Sequence, residues 1–245
     1  MSNLDLRNGD ALVELKTIPN ESVDLIITDP PYRVTSKGCS GTMGGYWAGE
    51  KSKKGIIFDH NNISCEEYLP ELYRVLKEKT LCYVMCNNIN LVSIITTGIK
   101  VGFHFVKCLI WDKGNKICGR YYMTCFEYII LFRKGGDRPI NNCGTPDILS
   151  VPIKKLKDEN NKNLHDTEKP VELAKILIEN SSNKDEIVLD PFMGIGWAGI
   201  ASKQLGRNFI GIEIDSKYFN IAKDRVDKAE IVVSSFEKVN LFEED

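Results

Sequence analysis

Apolar residues along this chain fall into short runs, and stretches of helical spacing lie between those runs. The strand-like runs are Leu4-Asp5-Leu6 and residues 23–28, 81–86, 105–111, 126–132, 187–190 and 209–214. Helical spacing appears at Ala11, Leu12 and Leu15, at Leu69, Leu72, Val75 and Leu76, over 89–100, at Leu173, Ile176 and Leu177, to about Leu205, and over 218–228. Ser64 followed by Glu66 and Glu67 is a helix-opening signal, and Pro170 stands where a first helical turn accepts proline. Seven strands alternating with helices predict an α/β fold, with one open, mostly parallel sheet covered by helices on both faces. No internal repeat interrupts that alternation, and 245 residues suit one domain over 1–245. Residues 33–62 escape the periodicity, as do 112–164 outside the run at 126–132, and both read as long loops.

Among these runs, Val23-Asp24-Leu25-Ile26-Ile27-Thr28-Asp29-Pro30-Pro31-Tyr32 stands out. A strand apolar on both faces is a central strand. Pro30 and Pro31 then end the ladder and fix φ on two successive residues. Asp29 and Tyr32 are thereby held at a strand's carboxyl end, where open α/β sheets bind ligands. A carboxylate, freed carbonyls and an aromatic face suit a flat ring that carries an amine.

A second run, Asp190-Pro191-Phe192-Met193-Gly194-Ile195-Gly196-Trp197-Ala198-Gly199, leaves another buried strand and opens a helix. Its three glycines match the dinucleotide fingerprint, and Glu213 ends the next strand at the place of a ribose-binding acid. Glycine spacing alone is compatible with a nicotinamide or flavin nucleotide. An acid at Asp190, directly before the turn, suits a positively charged ligand better than a pyrophosphate.

Composition narrows the class. Hydrophobic content of 42% and charged content of 27% are those of an ordinary globular protein. No signal peptide and no membrane helix are expected, so the expected setting is the cytoplasm. The eight cysteines include no Cys-x-x-Cys pair, and several sit inside apolar runs. They read as buried thiols, with no metal site. Net charge is −2, but residues 107–157 carry ten Lys or Arg against four Asp or Glu, a local +6. Residues 33–60 carry five against two, a local +3, while 213–245 carry five against nine, a local −4. Two basic segments on a mildly acidic chain suggest one face that meets phosphates.

Taken together, these stretches resemble the amino-methylating DNA methyltransferases that use S-adenosylmethionine, in the branch with permuted (β-type) motif order. Asp29-Pro30-Pro31-Tyr32 matches their catalytic motif, and the run from Asp190 to Gly196 matches their cofactor motif. Leu164-His165-Asp166-Thr167-Glu168-Lys169-Pro170 resembles the segment that precedes the cofactor motif, and Asn8-Gly9-Asp10-Ala11-Leu12 the N-terminal element. The resemblance implies a Rossmann-like seven-stranded sheet with one antiparallel strand and double-stranded DNA as partner, and it is compatible with a homodimer. It implies catalytic roles for Asp29, Pro30, Pro31 and Tyr32. It places Asp10, Ala11, Asp29, His165, Lys169, Asp190, Phe192, Gly194, Gly196 and Glu213 around S-adenosylmethionine.

Two features depart from the family. Ile195 and Trp197 stand where Ser or Thr is often found, and no large separate recognition domain is expected to read the DNA sequence. Recognition is therefore expected from loops, with Lys51, Lys53, Lys54, Lys113, Lys116, Arg120 and Tyr122 as candidate DNA contacts. Aspartate before the two prolines favours adenine N6 over cytosine N4. The other readings are a nucleotide-dependent oxidoreductase and a catalytically weak DNA-binding subunit.

Overall fold

All seven strand runs pair into one sheet, and an eighth strand joins them. The computed structural model describes residues 2–31, 63–117, 122–153 and 168–231. Strands β1 (Leu4–Asn8), β2 (Val23–Thr28), β3 (Leu76–Cys86), β4 (His104–Ile117), β5 (Thr124–Lys134), β6 (Ile148–Ser150), β7 (Ile187–Asp190) and β8 (Asn208–Glu213) lie in the order β1-β8-β7-β2-β3-β5-β4-β6. Among the described residues β5 alone is antiparallel, to both β3 and β4, and all other pairings are parallel. The helices are α1 (Ala11–Leu15), α2 (Cys65–Val75), α3 (Leu91–Val101), α4 (Val171–Ser181), α5 (Trp197–Gln204) and α6 (Ser216–Lys228).

Two differences from the sequence reading concern the stretch taken as loop. β6 is three residues long, too short to show a period, and it pairs with Ile110, Trp111 and Asp112 of β4. β4 also continues past Trp111 to Ile117, and β5 begins at Thr124, so 112–124 is largely the end of a hairpin. Backbone ladders form there under polar side chains, because an exposed hairpin arm has no core to match.

Strand β2 is buried along its whole length. Leu25 and Ile27 pack with Leu173, Leu177, Ala198 and Ala201 of α4 and α5 on one face. Ile26 packs with Leu15, Leu69, Leu72 and Ile94 of α1, α2 and α3 on the other. Each such fully buried side chain contributes roughly 1.5–3 kcal/mol. Asp24, the one charge in this strand, is neutralised where it lies. Lys77 donates to it at 2.6 Å and the Ile187 backbone N–H at 2.9 Å. These bonds tie β2 to β3 and β7 at one end of the sheet.

A second aspartate ties the other end. The chain leaves β2 towards β3 and leaves β7 towards β8, in opposite directions across the sheet. The carboxyl ends of β2 and β7 therefore flank the crevice of the topological switch point. Across it, Thr28 Oγ1 donates to Asp190 Oδ1 at 2.9 Å. The Phe192 N–H donates to the same oxygen at 3.1 Å, and Trp197 Nε1 donates to Oδ2 at 3.0 Å. Asp190 has no exposed surface, and burial pushes its carboxyl up to about 7, with the Thr28 and Phe192 donors pulling the other way.

Close packing holds α5 on the sheet. A Cβ at Gly199 would lie 2.8 Å from Phe209 Cε1 and 3.0 Å from Val226 Cγ2. Gly199→Val is expected to destabilise the protein by about 1–3 kcal/mol, seen as a lower urea midpoint at unchanged slope.

Asp190 gives a test with a sign. Its folded pKa lies above the ordinary value of about 3.9, so the native state holds a proton that the unfolded chain releases. The associated cost is absent at about pH 4 and grows as pH rises towards 7. Asparagine at this position does not titrate. The stability of wild type minus that of Asp190→Asn should therefore fall as pH rises from about 4 to about 7, measured by urea unfolding at each pH. A difference that stays flat or rises would contradict the buried, proton-holding carboxyl.

Candidate active site

The end of β2 delivers the first functional group. Thr28 is locked to Asp190, Asp29 follows it, and the buried Pro30 has no N–H to offer a neighbour. Asp29 Oδ2 accepts a hydrogen bond from Lys169 Nζ. Asp29 Oδ1 is buried and accepts from no group among the described residues. Tyr32, the last residue of the motif, lies outside the described residues.

Lys169 comes from the segment just before α4, where Pro170 is the N-cap. It is 5% exposed and also lies 3.6 Å from Glu127 Oε2. Glu127 in turn accepts from Lys113 Nζ, which is only 6% exposed. The ring of Trp111 lies under both ammonium groups, at 5.1 Å from Lys113 Nζ and 6.0 Å from Lys169 Nζ. Four ionisable side chains from β2, β4, β5 and the α4 entrance thus form one buried chain: Asp29, Lys169, Glu127, Lys113. Two charges of each sign give the group no net charge, which is the condition for burying it.

The two carboxylates are perturbed in opposite directions. Burial raises Asp29 above its ordinary range; Lys169 opposes this and Glu127 adds to it. Burial also acts to raise Glu127, but Lys169 and Lys113 together hold it below its ordinary range. Lys169, flanked by both acids, is raised despite its burial. Asp29 is therefore the carboxylate better disposed to take a proton, and Glu127 the one that stays ionised.

The cofactor side is built at the ends of β7, β8 and β1. Gly194 and Gly196 take positive φ, 54° and 87°, which lets the chain turn tightly into α5. Glu213 Oε2 accepts from the Gly194 N–H at 2.9 Å and Oε1 from the Asp215 N–H at 2.9 Å. Burial raises the Glu213 carboxyl, with those backbone donors opposing. At the tip of β1, Asp10 caps α1 by accepting from the Leu12 N–H at 2.7 Å, and Ala11 behind it is buried. Phe192 packs edge-on against Tyr68, with ring centroids 5.6 Å apart. Arg225 braces the turn from α6: it donates to the Ile195 carbonyl at 2.7 Å and pairs with Glu168 at 3.0 Å. A partly exposed acid beside a glycine turn, facing the end of β1, fits a nucleoside. Among the described residues no cluster of His, Cys, Asp and Glu could hold a metal ion.

Several sequence expectations change here. Asp190 was expected near the cofactor's ammonium, but both of its oxygens are engaged by Thr28, Phe192 and Trp197 in the protein interior. Trp197, which departs from the family's Ser or Thr, supplies one of those donors. Lys169 was expected against the cofactor's carboxylate, yet its ammonium lies with Asp29 and Glu127. Lys113 was expected on DNA phosphates and is instead buried against Glu127. Lys107, Arg133, Lys134 and Arg138 of the same basic segment pair with Asp147, Asp137, Glu21 and Glu186. Lys116 and Tyr122 remain exposed near the hairpin tip. His165, Lys51, Lys53, Lys54 and Arg120 lie outside the described residues. Sequence reasoning missed Glu127, whose only signal was one acid within the apolar run Phe126–Phe132.

Comparison with known proteins agrees with this geometry. The pattern of the DNA methylase family matches residues 23–224. The chain is 32% identical over 241 residues to the type II methyltransferase M.HinfI of Haemophilus influenzae, covering 89% of this chain and 67% of that protein. It is 32% identical over 255 residues to the DNA adenine methyltransferase YhdJ of Escherichia coli (strain K12), covering 91% and 82%. The crystal structure of the M1.HpyAVI–SAM complex superposes with a TM-score of 0.65 at 26% identity, covering 91% of this chain and 99% of that one. With its acceptor carboxylate and its glycine turn on the two sides of one crevice, this chain belongs to the DNA methylase family.

Proposed function

We propose that this protein is a site-specific DNA methyltransferase that uses S-adenosylmethionine to methylate N6 of an adenine rotated out of the duplex. The observation that carries the reading is Asp29 Oδ1, a buried acceptor to which no group among the described residues donates, at the switch point and one strand from the glycine turn. A buried oxygen without a donor is costly unless a ligand supplies one. An exocyclic amine bears the N–H that it lacks. When bound at the glycine turn, S-adenosylmethionine supplies a methyl group that is already electrophilic.

The chain's own residues then hold and orient. Glu213 receives the ribose hydroxyls, Asp10 and Ala11 meet the adenine of the cofactor, and Phe192, Gly194 and Gly196 line its approach. Asp29 Oδ1 and the Pro30 carbonyl each accept one N–H of the target amine. That draws the nitrogen lone pair out of the ring and aims it at the methyl. Lys169 holds Asp29 in this orientation through Oδ2. Tyr32 stacks on the target base, a contact contributing on the order of 1–3 kcal/mol. The base reaches this site only outside the helical stack. None of the steps uses a thiol; Cys82 and Cys86 are buried, where desolvation keeps them protonated.

Adenine is favoured by the aspartate before the two prolines and by the adenine specificity in the name of YhdJ. An oxidoreductase would explain the glycine turn and Glu213 but leaves Asp29 without a task. Double-stranded DNA in the cytoplasm of a prokaryote or phage-infected cell is the setting this reading gives. Among the described residues no helix is long and apolar enough to cross a membrane.

Incubation with methyl-labelled S-adenosylmethionine and duplex DNA should place the label in N6-methyladenine. Label in N4-methylcytosine overturns the base assignment, and absence of label overturns the activity. Asp29→Ala should lower the methyl-transfer rate by about 10²-fold or more while cofactor affinity changes little. Retained activity would remove Asp29 from the chemistry. If Lys116 meets a phosphate, Lys116→Ala should flatten the salt dependence of DNA binding by about one unit of log–log slope.

A further inference from the structure

The buried pair beyond Asp29 has no task in the mechanism above. Lys169 Nζ bonds to Asp29 Oδ2 and lies 3.6 Å from Glu127 Oε2, an oxygen that is buried and accepts no hydrogen bond among the described residues. One ammonium thus faces two carboxylates, bonded to one and within a short movement of the other. We propose that Glu127 is a positioning residue for methyl transfer: it is the second counter-ion of Lys169, and it receives that ammonium when Asp29 takes up the proton released by the methylated amine. This rests on the methyltransferase reading and deepens it.

The proton balance gives Glu127 its work. As the target nitrogen bonds to the methyl carbon, the carbon–sulfur bond breaks and its electron pair goes to sulfur. The nitrogen then carries a positive charge and must lose one of its two protons. Asp29 Oδ1 is the acceptor already on that N–H. Once it is protonated, Asp29 no longer balances Lys169, and an ammonium that is 5% exposed cannot turn to water for compensation. Glu127 is ionised and within reach, with Lys113 fixing its other oxygen and Trp111 under both ammonium groups. A shift of about an ångström in Lys169 completes its bond to Glu127. Lys169 thereby keeps a contacting counter-ion while Asp29 is neutral, and the one excess positive charge is shared between two ammonium groups that flank Glu127 over the Trp111 ring.

Among the described residues, the groups facing this chain come from six elements. They are Asp29 after β2, Lys113 on β4, Glu127 on β5, Lys169 before α4 and Cys86 on β3, with Asp190 on β7 adjoining Asp29. Burial raises the Cys86 thiol and keeps it neutral. The negative charge of Glu127 raises Asp29, and the positive charge of Lys113 lowers it. Activity requires ionised Asp29, so its acid limb follows Asp29. Glu127→Gln should move that limb to lower pH, and Lys113→Met should move it to higher pH.

The test is single-turnover methyl transfer against pH for the full-length wild type, Glu127→Gln, Glu127→Asp and Lys113→Met, with S-adenosylmethionine affinity measured by calorimetry. Wild-type methyl transfer to duplex DNA comes first; its absence sinks the methyltransferase reading, whatever the variants do. Given an active wild type, Glu127→Gln should slow the transfer by about tenfold or more, with cofactor affinity within about threefold of wild type. Glu127→Asp should recover much of the loss, because it restores the second counter-ion. Opposite displacements of the acid limb in Glu127→Gln and Lys113→Met support the proposal, since loosened packing would not move the two in opposite directions. A Glu127→Gln rate within about twofold of wild type overturns it. Limbs that stay put, or that move the same way in both variants, overturn it equally.

Discussion

The site depends on one electrostatic constraint: a carboxylate must stay charged where little water reaches it. Asp29 follows a strand that is buried throughout, and burial alone would favour its neutral form. Lys169 makes the ionised form tenable, and among the described residues Glu127 and Asp29 flank Lys169 and favour its charge in turn. Lys113 then balances Glu127. Removing any one member leaves a charge uncompensated in a dry interior, so the four stand together. Exposed ion pairs elsewhere, such as Lys228 with Asp224, contribute far less to stability, typically up to about 1 kcal/mol.

The second constraint is mechanical. In the proposed reaction a flipped base and a cofactor meet across the crevice between the ends of β2 and β7, so the ends of those strands must not drift. Asp190 spans the gap, accepting from Thr28 on β2 while its other contacts shape the turn into α5. At the opposite end Asp24 does the same work through Lys77 and the Ile187 N–H. Two buried aspartates, one at each end, hold β2 to β7. The acceptor Asp29 and the glycine turn are thereby fixed relative to each other by structure that touches neither substrate.

Much of this was legible from the chain. Apolar runs located seven of the eight strands, most clearly β2, β3 and β7, whose side chains are largely buried. β6 escaped because three residues carry no period, and the β4–β5 hairpin arm escaped because its pairing relies on backbone bonds under polar side chains. Asp29 and Glu213 were recognisable by their positions at strand ends. Asp190, Lys169 and Lys113 were also singled out, but their decisive partners come from other elements: Thr28 is 162 positions from Asp190, Asp29 is 140 from Lys169, and Glu127 meets Lys113 across a strand pair. No local pattern encodes such a pairing. The same holds for the basic segment 107–157, whose excess charge suggested phosphates while five of its described cations pair within the protein.

The central claim is that one buried lysine divides two carboxylates into a proton acceptor and a fixed anion. It is tested most directly by carbon NMR titration of the Asp29 and Glu127 carboxyl groups in the unmodified protein, assigned with single substitutions. The account predicts that Asp29 titrates above the ordinary aspartate value of about 3.9 and Glu127 below the ordinary glutamate value of about 4.3. The reverse order, or two carboxyls titrating at their ordinary values, would contradict it.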